Sequence, residues 1–341
     1  MNGTMAALTW AGGHRVVVAE RPRPAAGDGQ ALVDVAWCGL CGTDLHICAG
    51  EHPRARPGIV LGHELSGRLH ADAGGLAAGT KVVVDPLLSC GTCRPCRGGR
   101  PHTCASLRLL GIDVPGGAAE QVVVAADRLI PVPDGADLRR LAFAEPLAVA
   151  VRAVRRAGLA LGEEVVVAGA GPIGLAVAAC ARLAGAGRVL VAEPAPGRRR
   201  LAADLGFETA EALAGGTADV VFDAAAHPAV AAGLAAAVGP GGRAVLVGVY
   251  GAPAPLDLQA LTFKEVTVIG TRVYSRDDLR AATAMVADGR FDPAPLITRS
   301  VPLAEAPAAI DDLRAGREVK VLLEGSGEPH NGPAGRGRGS P

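Results

Sequence analysis

The chain has 341 residues, 49% hydrophobic and 20% charged, enough to bury the cores of two domains on a scale of roughly 100–200 residues each. Lys+Arg and Asp+Glu balance at 34 each, so it lacks the basic footprint of a general nucleic-acid binder and any charge that would draw it to an anionic membrane. No apolar run approaches the roughly 18 residues of a membrane span, and the N-terminal MNGTMAALTWAGGHR lacks the charged and apolar regions of a secretory signal, so a cytoplasmic location is expected.

Residues 6–70 read as short β-segments joined by frequent turns, and ALVDVAW (31–37) alternates as a half-buried strand does. Two short motifs follow. One is Cys38-Gly39-Leu40-Cys41-Gly42-Thr43-Asp44-Leu45-His46; the other is Gly62-His63-Glu64. Cys41, His63 and Glu64 supply a thiolate, an imidazole and a carboxylate, a set able to hold a catalytic zinc with one position open. Two simpler readings compete: Cys38 and Cys41 as a redox pair, without the strand–helix context of a thioredoxin-like motif, and His63-Glu64 as a polar surface pair. Cys38 itself reads as a buried apolar residue. Between the motifs, EHPRARPG (51–58) carries Arg54 and Arg56, which either meet a polar or anionic substrate or are simply solvated.

Segment 76–86 continues the β pattern into a cysteine-rich loop. Cys90, Cys93, Cys96 and Cys104 are spaced C-x2-C-x2-C-x7-C within fifteen residues. Four thiolates so placed can enclose one tetrahedral Zn2+ and leave no position for substrate, which is the pattern of a structural site. An iron–sulfur cluster is the rival, because C-x2-C-x2-C also serves such clusters. This clustering of the eight cysteines suggests metal binding in a reducing compartment, not a disulfide framework. AEQVVVAADRLIPVP (119–133) adds a strand pair broken by proline.

Near residue 142 the pattern changes. AFAEPLAVAVRAVRRAG has helical spacing, and Gly158 stops it. Strands EEVVVAGAG, RVLVAEP, ADVVFDA, RAVLVGVYG and VTVIGTRV then alternate with helices PIGLAVAACARLAG, GRRRLAADLG and HPAVAAGLAAAVG. Apolar strands alternating with helices predict an α/β, doubly wound parallel sheet. Gly169-Ala170-Gly171-Pro172-Ile173-Gly174 is G-x-G-x-x-G between a strand and a helix, where backbone can approach a pyrophosphate at a helix N-terminus. Glu193 lies nineteen residues past Gly174, at the end of the next strand. A carboxylate there can accept both adenosine ribose hydroxyls and repel a 2′-phosphate, which favours NAD over NADP. Arg198, Arg199 and Arg200 follow. An arginine nearby is how such folds accommodate NADP; the simpler reading is a solvated helical turn, with Arg198 over the adenine. After Tyr274 come the helix RDDLRAATAMVADG, a further strand and helix, and VKVLL (319–323). The Gly- and Pro-rich tail, 325–341, is expected to be disordered.

In this order, CGLCGTDLHI, GIVLGHELSG, the four-Cys loop, AFAEPLAVA and VVVAGAGPIGL resemble the zinc-dependent medium-chain dehydrogenases. The likeness is to the branch of sorbitol, threonine and 2,3-butanediol dehydrogenases, and it runs from about residue 6 to 324. The resemblance implies a β-rich GroES-like catalytic domain (1–150 and 275–324) interrupted by a Rossmann cofactor domain (151–274). It implies two zinc ions per chain, one catalytic and one structural. Cys41 and His63 match catalytic zinc ligands; Glu64 and Glu145 divide the work of ligand and near-ligand. Glu145 also has a plainer reading, as a carboxylate that complements a helix dipole. Thr43 matches the hydroxyl that contacts the substrate oxygen, His46 the outer end of a proton relay, and Asp44 an acceptor that orients a ligating histidine. The implied reaction is NAD-linked hydride transfer between a secondary alcohol and its ketone, in a polyol, cyclitol, sugar-derived or amino-alcohol substrate. The alternatives are an NADPH-dependent carbonyl reductase of the same fold, a non-catalytic NAD-binding protein, and a zinc-ribbon nucleic-acid module, which the neutral charge disfavours. The strand near 266–273 is expected to pair with its mate in a homodimer, and tetramers are common in this branch. Relatives carry a His-Arg pair near LITRSVPL, where this chain reads Thr298-Arg299-Ser300.

Overall fold

The computed structural model describes residues 3–326; most of the tail expected to be disordered, 327–341, lies outside them. Two sheets organise the chain. The first has seven strands, six on one path and one as a branch, and its key member is Gln30–Gly39. That strand pairs antiparallel with Glu64–Leu69, with Gln121–Ala125 and with the C-terminal Lys320–Glu324. Its alternating sequence puts Ala31, Val33 and Val35 into the core, as the pattern predicts. Its last residue, Gly39, lies opposite Glu64 on one side and Leu322 on the other, so one strand end gathers three distant parts of the chain.

The second sheet has six parallel strands. Their spatial order is Glu208–Ala210, Arg188–Ala192, Glu164–Ala168, Ala218–Asp223, Val238–Leu246 and Thr267–Gly270. In order of appearance this is 3-2-1-4-5-6, the doubly wound arrangement, whose crevice opens where the strand order reverses. The G-x-G-x-x-G turn leaves the strand at that reversal.

The helix Ala144–Ala157 follows Phe143 and ends at Gly158 in the left-handed conformation (φ 60°), the stop expected there. It packs on the helices Pro172–Leu183 and Arg276–Ala287. Arg155 pairs with Asp278 at 2.7 Å, and Arg152 approaches the same carboxylate at 3.7 Å. The final parallel strand is shorter than VTVIGTRV suggests: it stops at Gly270, and Val273 takes a positive φ of 39°. That conformation is costly for a β-branched residue, and it turns the chain inward. Tyr274 is thereby fully buried, and Ser275 caps the next helix, its hydroxyl accepting from the Asp278 N–H. The core is mostly Ala, Val and Leu, with one stacked aromatic pair, Phe143 on Phe291.

Candidate catalytic metal centre and cofactor cleft

Cys41 ends the loop after Gln30–Gly39 and begins the short helix Gly42–Cys48. The Asp44 carboxylate accepts from the Cys41 N–H at 2.9 Å, which fixes the loop-to-helix junction. His63 and Glu64 open the neighbouring strand. Their ligand atoms and the Cys41 sulfur lie within 4.8 Å of one another. Glu64 fits because residue 39 is glycine: a Cβ there would sit 2.0 Å from a Glu64 carboxylate oxygen. His63 Nδ1 and Asp44 Oδ1 are buried with no hydrogen-bond partner among the described residues. Burial alone pushes the His63 imidazole down, but Cys41, Asp44 and Glu145 outweigh it and hold its pKa well above the usual range. A buried pocket with unpartnered donors and excess negative charge suits a divalent cation, and thiolate, imidazole and carboxylate suit zinc.

One cation already serves this pocket. Lys320 is fully buried and donates to both Glu64 oxygens, at 2.8 and 2.7 Å, and to the Leu40 carbonyl at 2.9 Å. Burial opposes its charge, but Glu64, Cys41 and Glu145 raise its pKa above the ordinary lysine range. Glu145 stands in the first turn of Ala144–Ala157, outside the close Cys41/His63/Glu64 set. Desolvation raises its carboxyl pKa to about 7, against the pull of His63. The buried Tyr274 hydroxyl faces it and has its own pKa raised, first by burial and then by the Glu145 charge.

Thr43 Oγ1 is 3.7 Å from the Cys41 sulfur, beside the metal position. His46 is solvent-exposed, with Nδ1 3.0 Å from Glu51, a placement suited to the outer end of a proton path. Asp44 faces His63 electrostatically but has only its bond to Cys41 N–H, so no hydrogen bond to the imidazole is described. Arg299 pairs with Asp312 and Glu305, at 2.5 and 3.4 Å.

The four-Cys loop has a different character. Its sulfurs are separated by 3.4 Å (Cys93–Cys96), 3.8 Å (Cys93–Cys104) and 3.9 Å (Cys90–Cys96). Zn–S bonds of about 2.3 Å in a tetrahedron put sulfurs about 3.8 Å apart. The space fits one ion and is too tight for a cluster with its own bridging sulfides. No disulfide forms among the described residues. The Cys93 N–H and Thr92 hydroxyl hold the Cys90 thiol down to about 5. His102, buried inside the loop, has Nε2 3.0 Å from Arg152 and so ties the lobe to the helix that carries Glu145.

At the dinucleotide turn, Gly171 caps the helix Pro172–Leu183. A Cβ at Gly174 would lie 1.9 Å from the Gly169 carbonyl, whereas one at Gly171 would meet nothing within 4 Å. One glycine thus serves packing, and the other leaves an open cradle over the helix N-terminus for phosphate. Pro172 and Ile173 form the first helical turn. Glu193 is buried, and its oxygens accept from Ala170 N–H at 2.8 Å and Ala195 N–H at 2.9 Å. These backbone bonds hold it under the turn, a role its position in the sequence did not reveal. Arg199 bonds the carbonyls of Glu193 and Pro194, while Arg198 has no partner among the described residues.

Comparisons with known proteins agree. Residues 27–134 match the alcohol dehydrogenase GroES-like domain, and residues 172–288 match the zinc-binding dehydrogenase domain. The chain is 36% identical over 317 residues to the 2-dehydro-3-deoxy-L-galactonate 5-dehydrogenase of Pseudoalteromonas atlantica, covering 88% of this chain and 93% of that protein. The chain belongs to the zinc-dependent medium-chain dehydrogenases. It is also 32% identical over 301 residues to the L-galactonate-5-dehydrogenase of Escherichia coli, covering 84% of this chain and 88% of the other. Among solved structures, a zinc-binding dehydrogenase of Sinorhizobium meliloti bound to NADP superposes with a TM-score of 0.89 at 34% identity, covering 94% of this chain and 99% of that one. As a member of this family the chain is a nicotinamide-dependent oxidoreductase that interconverts an alcohol and a ketone, and its four-Cys loop is the structural zinc site. Among the described residues no helix is long and apolar enough to cross a membrane.

Proposed function

We propose that this enzyme oxidises a secondary alcohol of a polyol or sugar acid with NAD, or runs the reverse reduction, at a zinc held by Cys41, His63 and Glu64. The carrying observation is the close-set thiolate, imidazole and carboxylate, the last two buried and Cys41 half-buried, with His63 Nδ1 and Asp44 Oδ1 unpartnered among the described residues. Bound there, zinc polarises the substrate oxygen and lowers the pKa of the alcohol. Thr43 positions that oxygen by a hydrogen bond and passes its proton outward. His46, exposed and paired with Glu51, delivers the proton to solvent. Lys320 holds Glu64 in place, and Asp44 holds the Cys41 turn. Glu145, buried beside the ligands, serves as a proton acceptor close to the reacting oxygen.

Gly169, Gly171, Pro172, Ile173 and Gly174 cradle the pyrophosphate. NAD over NADP is supported by the fixed Glu193 carboxylate, which opposes a 2′-phosphate, and by Arg199, whose guanidinium is spent on carbonyls. Arg198 is left to lie over the adenosine. The lobes are proposed to divide as 1–150 with 275–324 for catalysis and 151–274 for the cofactor. A homodimer or homotetramer is supported by Thr267–Gly270 standing at an open sheet edge, with Phe263 and Val249 exposed nearby in the chain. A cytoplasmic setting accords with the free cysteines.

The test is NADH or NADPH formation by the zinc-loaded protein over hexitols, hexonates and L-threonine. Turnover of a hexitol or hexonate with NAD is expected. Exclusive use of NADP would overturn the cofactor assignment, and activity on threonine alone would overturn the substrate class.

A further inference from the structure

Of the two arginines on the 51–58 loop, Arg56 is absorbed locally: its guanidinium donates to the carbonyls of Pro53 and Ala55. Arg54 is different. It donates to the Leu107 carbonyl at 2.6 Å and pairs with Asp113 at 3.1 Å. So held, it lines a crevice of about 540 Å3 together with Arg108, Arg272, Ser89 and Ser106. The side chains of Arg108 and Arg272 are exposed and have no ion pair or hydrogen bond among the described residues. Three guanidiniums therefore face one carboxylate, Asp113, which Arg54 already occupies.

Each arginine comes from a separate segment, and each lies two or three residues from a group that packs on or faces a neighbour of the metal centre; the crevice itself is lined by Cys90 of the four-Cys loop and by none of Cys41, His63, Glu64 and Glu145. Arg54 follows His52, whose ring accepts from the Arg54 and Ala55 N–H groups and which feels the charges of Arg54, Asp113, His46 and His63. Arg108 precedes Gly111, which is packed so closely on Gly62, next to His63, that a Cβ would come within 2.7 Å of its backbone. Arg272 precedes Tyr274, which faces Glu145. Arg272 also stands just past the last parallel strand of the cofactor sheet, so the crevice spans both lobes. Two unpartnered arginines and a third held by Asp113, converging from three segments on one crevice, form a recognition surface, because guanidinium forks match carboxylate and phosphate oxygens in pairs.

Resting on the metal-centre reading above, we propose that the crevice between Arg54, Arg108 and Arg272 receives an anionic terminus of the substrate, a carboxylate or a phosphate ester, while the carbinol carbon lies at the metal. The enzyme thereby selects charged polyols over neutral ones. Arg272 adds a second consequence: because it belongs to the cofactor lobe, an anion in the crevice links the two lobes across the cleft.

The test compares L-galactonate, galactitol and galactitol 1-phosphate as substrates of the zinc-loaded enzyme with NAD, for the parent and for the double variant R108Q/R272Q. The parent should prefer an anionic member, and whichever of carboxylate or phosphate ester is preferred names the source of the charge. In the variant, the ratio of kcat/KM for that anion to kcat/KM for galactitol should fall at least tenfold, mainly through KM. Partial unfolding cancels in this ratio. Preference of the parent for galactitol, or an unchanged ratio, overturns the proposal. If none of the three is turned over, the metal-centre reading has failed, and calorimetric titration of each anion into the zinc- and NADH-loaded protein decides the crevice separately. Binding lost in R108Q/R272Q upholds it; no binding of either anion by the parent overturns it.

Discussion

The four-Cys loop and the proposed Cys41/His63/Glu64 centre are built in opposite ways. The four-Cys loop draws all its ligands from fifteen consecutive residues at the surface, and backbone N–H groups of the same loop support the sulfurs. The Cys41/His63/Glu64 set, with His63 and Glu64 buried and Cys41 half-buried, draws on two strand ends and needs Lys320, 256 positions from Glu64, to hold its carboxylate. A local loop can bind a metal almost independently of the rest of the chain. An assembled centre exists only when the seven-stranded sheet has closed, so its chemistry depends on the fold. The contrast predicts that damage to the loop costs stability first, whereas damage to the buried centre costs turnover or couples the two.

The sharpest break of the comparison is at Lys320. K320A leaves Glu64 buried without its partner, and loss of one member of a buried pair costs about 3–5 kcal/mol. Melting curves should show that loss most fully in metal-free protein, with part of it restored by zinc, since the cation then balances Glu64. Equal destabilisation with and without zinc would separate Glu64 from the metal. Next, E145Q keeps shape but removes a proton acceptor, and kcat should fall about 10²–10⁴-fold with NADH affinity retained. A variant with parental kcat would return Glu145 to a helix-dipole role.

Smaller effects fall on the supporting frame. D278N removes the carboxylate that caps Arg276–Ala287 and binds Arg155, at a cost of about 2 kcal/mol at neutral pH. Although burial raises the Asp278 pKa, the Ser275 hydroxyl and N–H and the Arg155 guanidinium outweigh it and hold it below the usual carboxylate range. Its stabilisation is therefore present above the unfolded pKa of about 4 and is lost as pH falls through the lower folded value. The melting difference between parent and D278N should shrink on acidification below that range; a difference that grew would reverse the assignment. H102A should be milder still, loosening the loop's tie to Arg152 by about 1 kcal/mol while leaving its zinc bound, as metal analysis can check.

How far the sequence alone carried follows the same division. The four-Cys loop, the G-x-G-x-x-G turn and the helix ending at Gly158 are local features, and their spacing or capping residue announces them. Cys41, His63 and Glu64 could be named as types, but nothing in their spacing puts their ligand atoms within 4.8 Å; the antiparallel pairing of Gly39 with Glu64 does that. Lys320 was hidden in VKVLL, where a lone lysine in an apolar strand was the signal to ask for a buried partner. Tyr274 was placed after a strand three residues too long, because nothing local foretells the positive φ at Val273. Glu193 directly follows the strand Arg188–Ala192, as the sequence pattern implies, yet its bonds to Ala170 and Ala195 depend on how the turn folds back over the strand. Arg299 stands where relatives carry a His-Arg pair, and its ion pairs with Asp312 and Glu305 appear only in three dimensions.

The central claim is that hydride chemistry belongs to the buried centre and not to the loop. Zinc content and alcohol-dependent NADH formation, measured together on C41A and C96S, test it most directly. C41A should keep one zinc per chain, bind NADH as the parent does and lose turnover by about 10³-fold or more. C96S should melt earlier, yet its folded fraction should turn over at a rate near the parent's. Full activity in C41A, or a C96S protein that stays folded and zinc-loaded at the buried centre yet is inactive, would contradict the account.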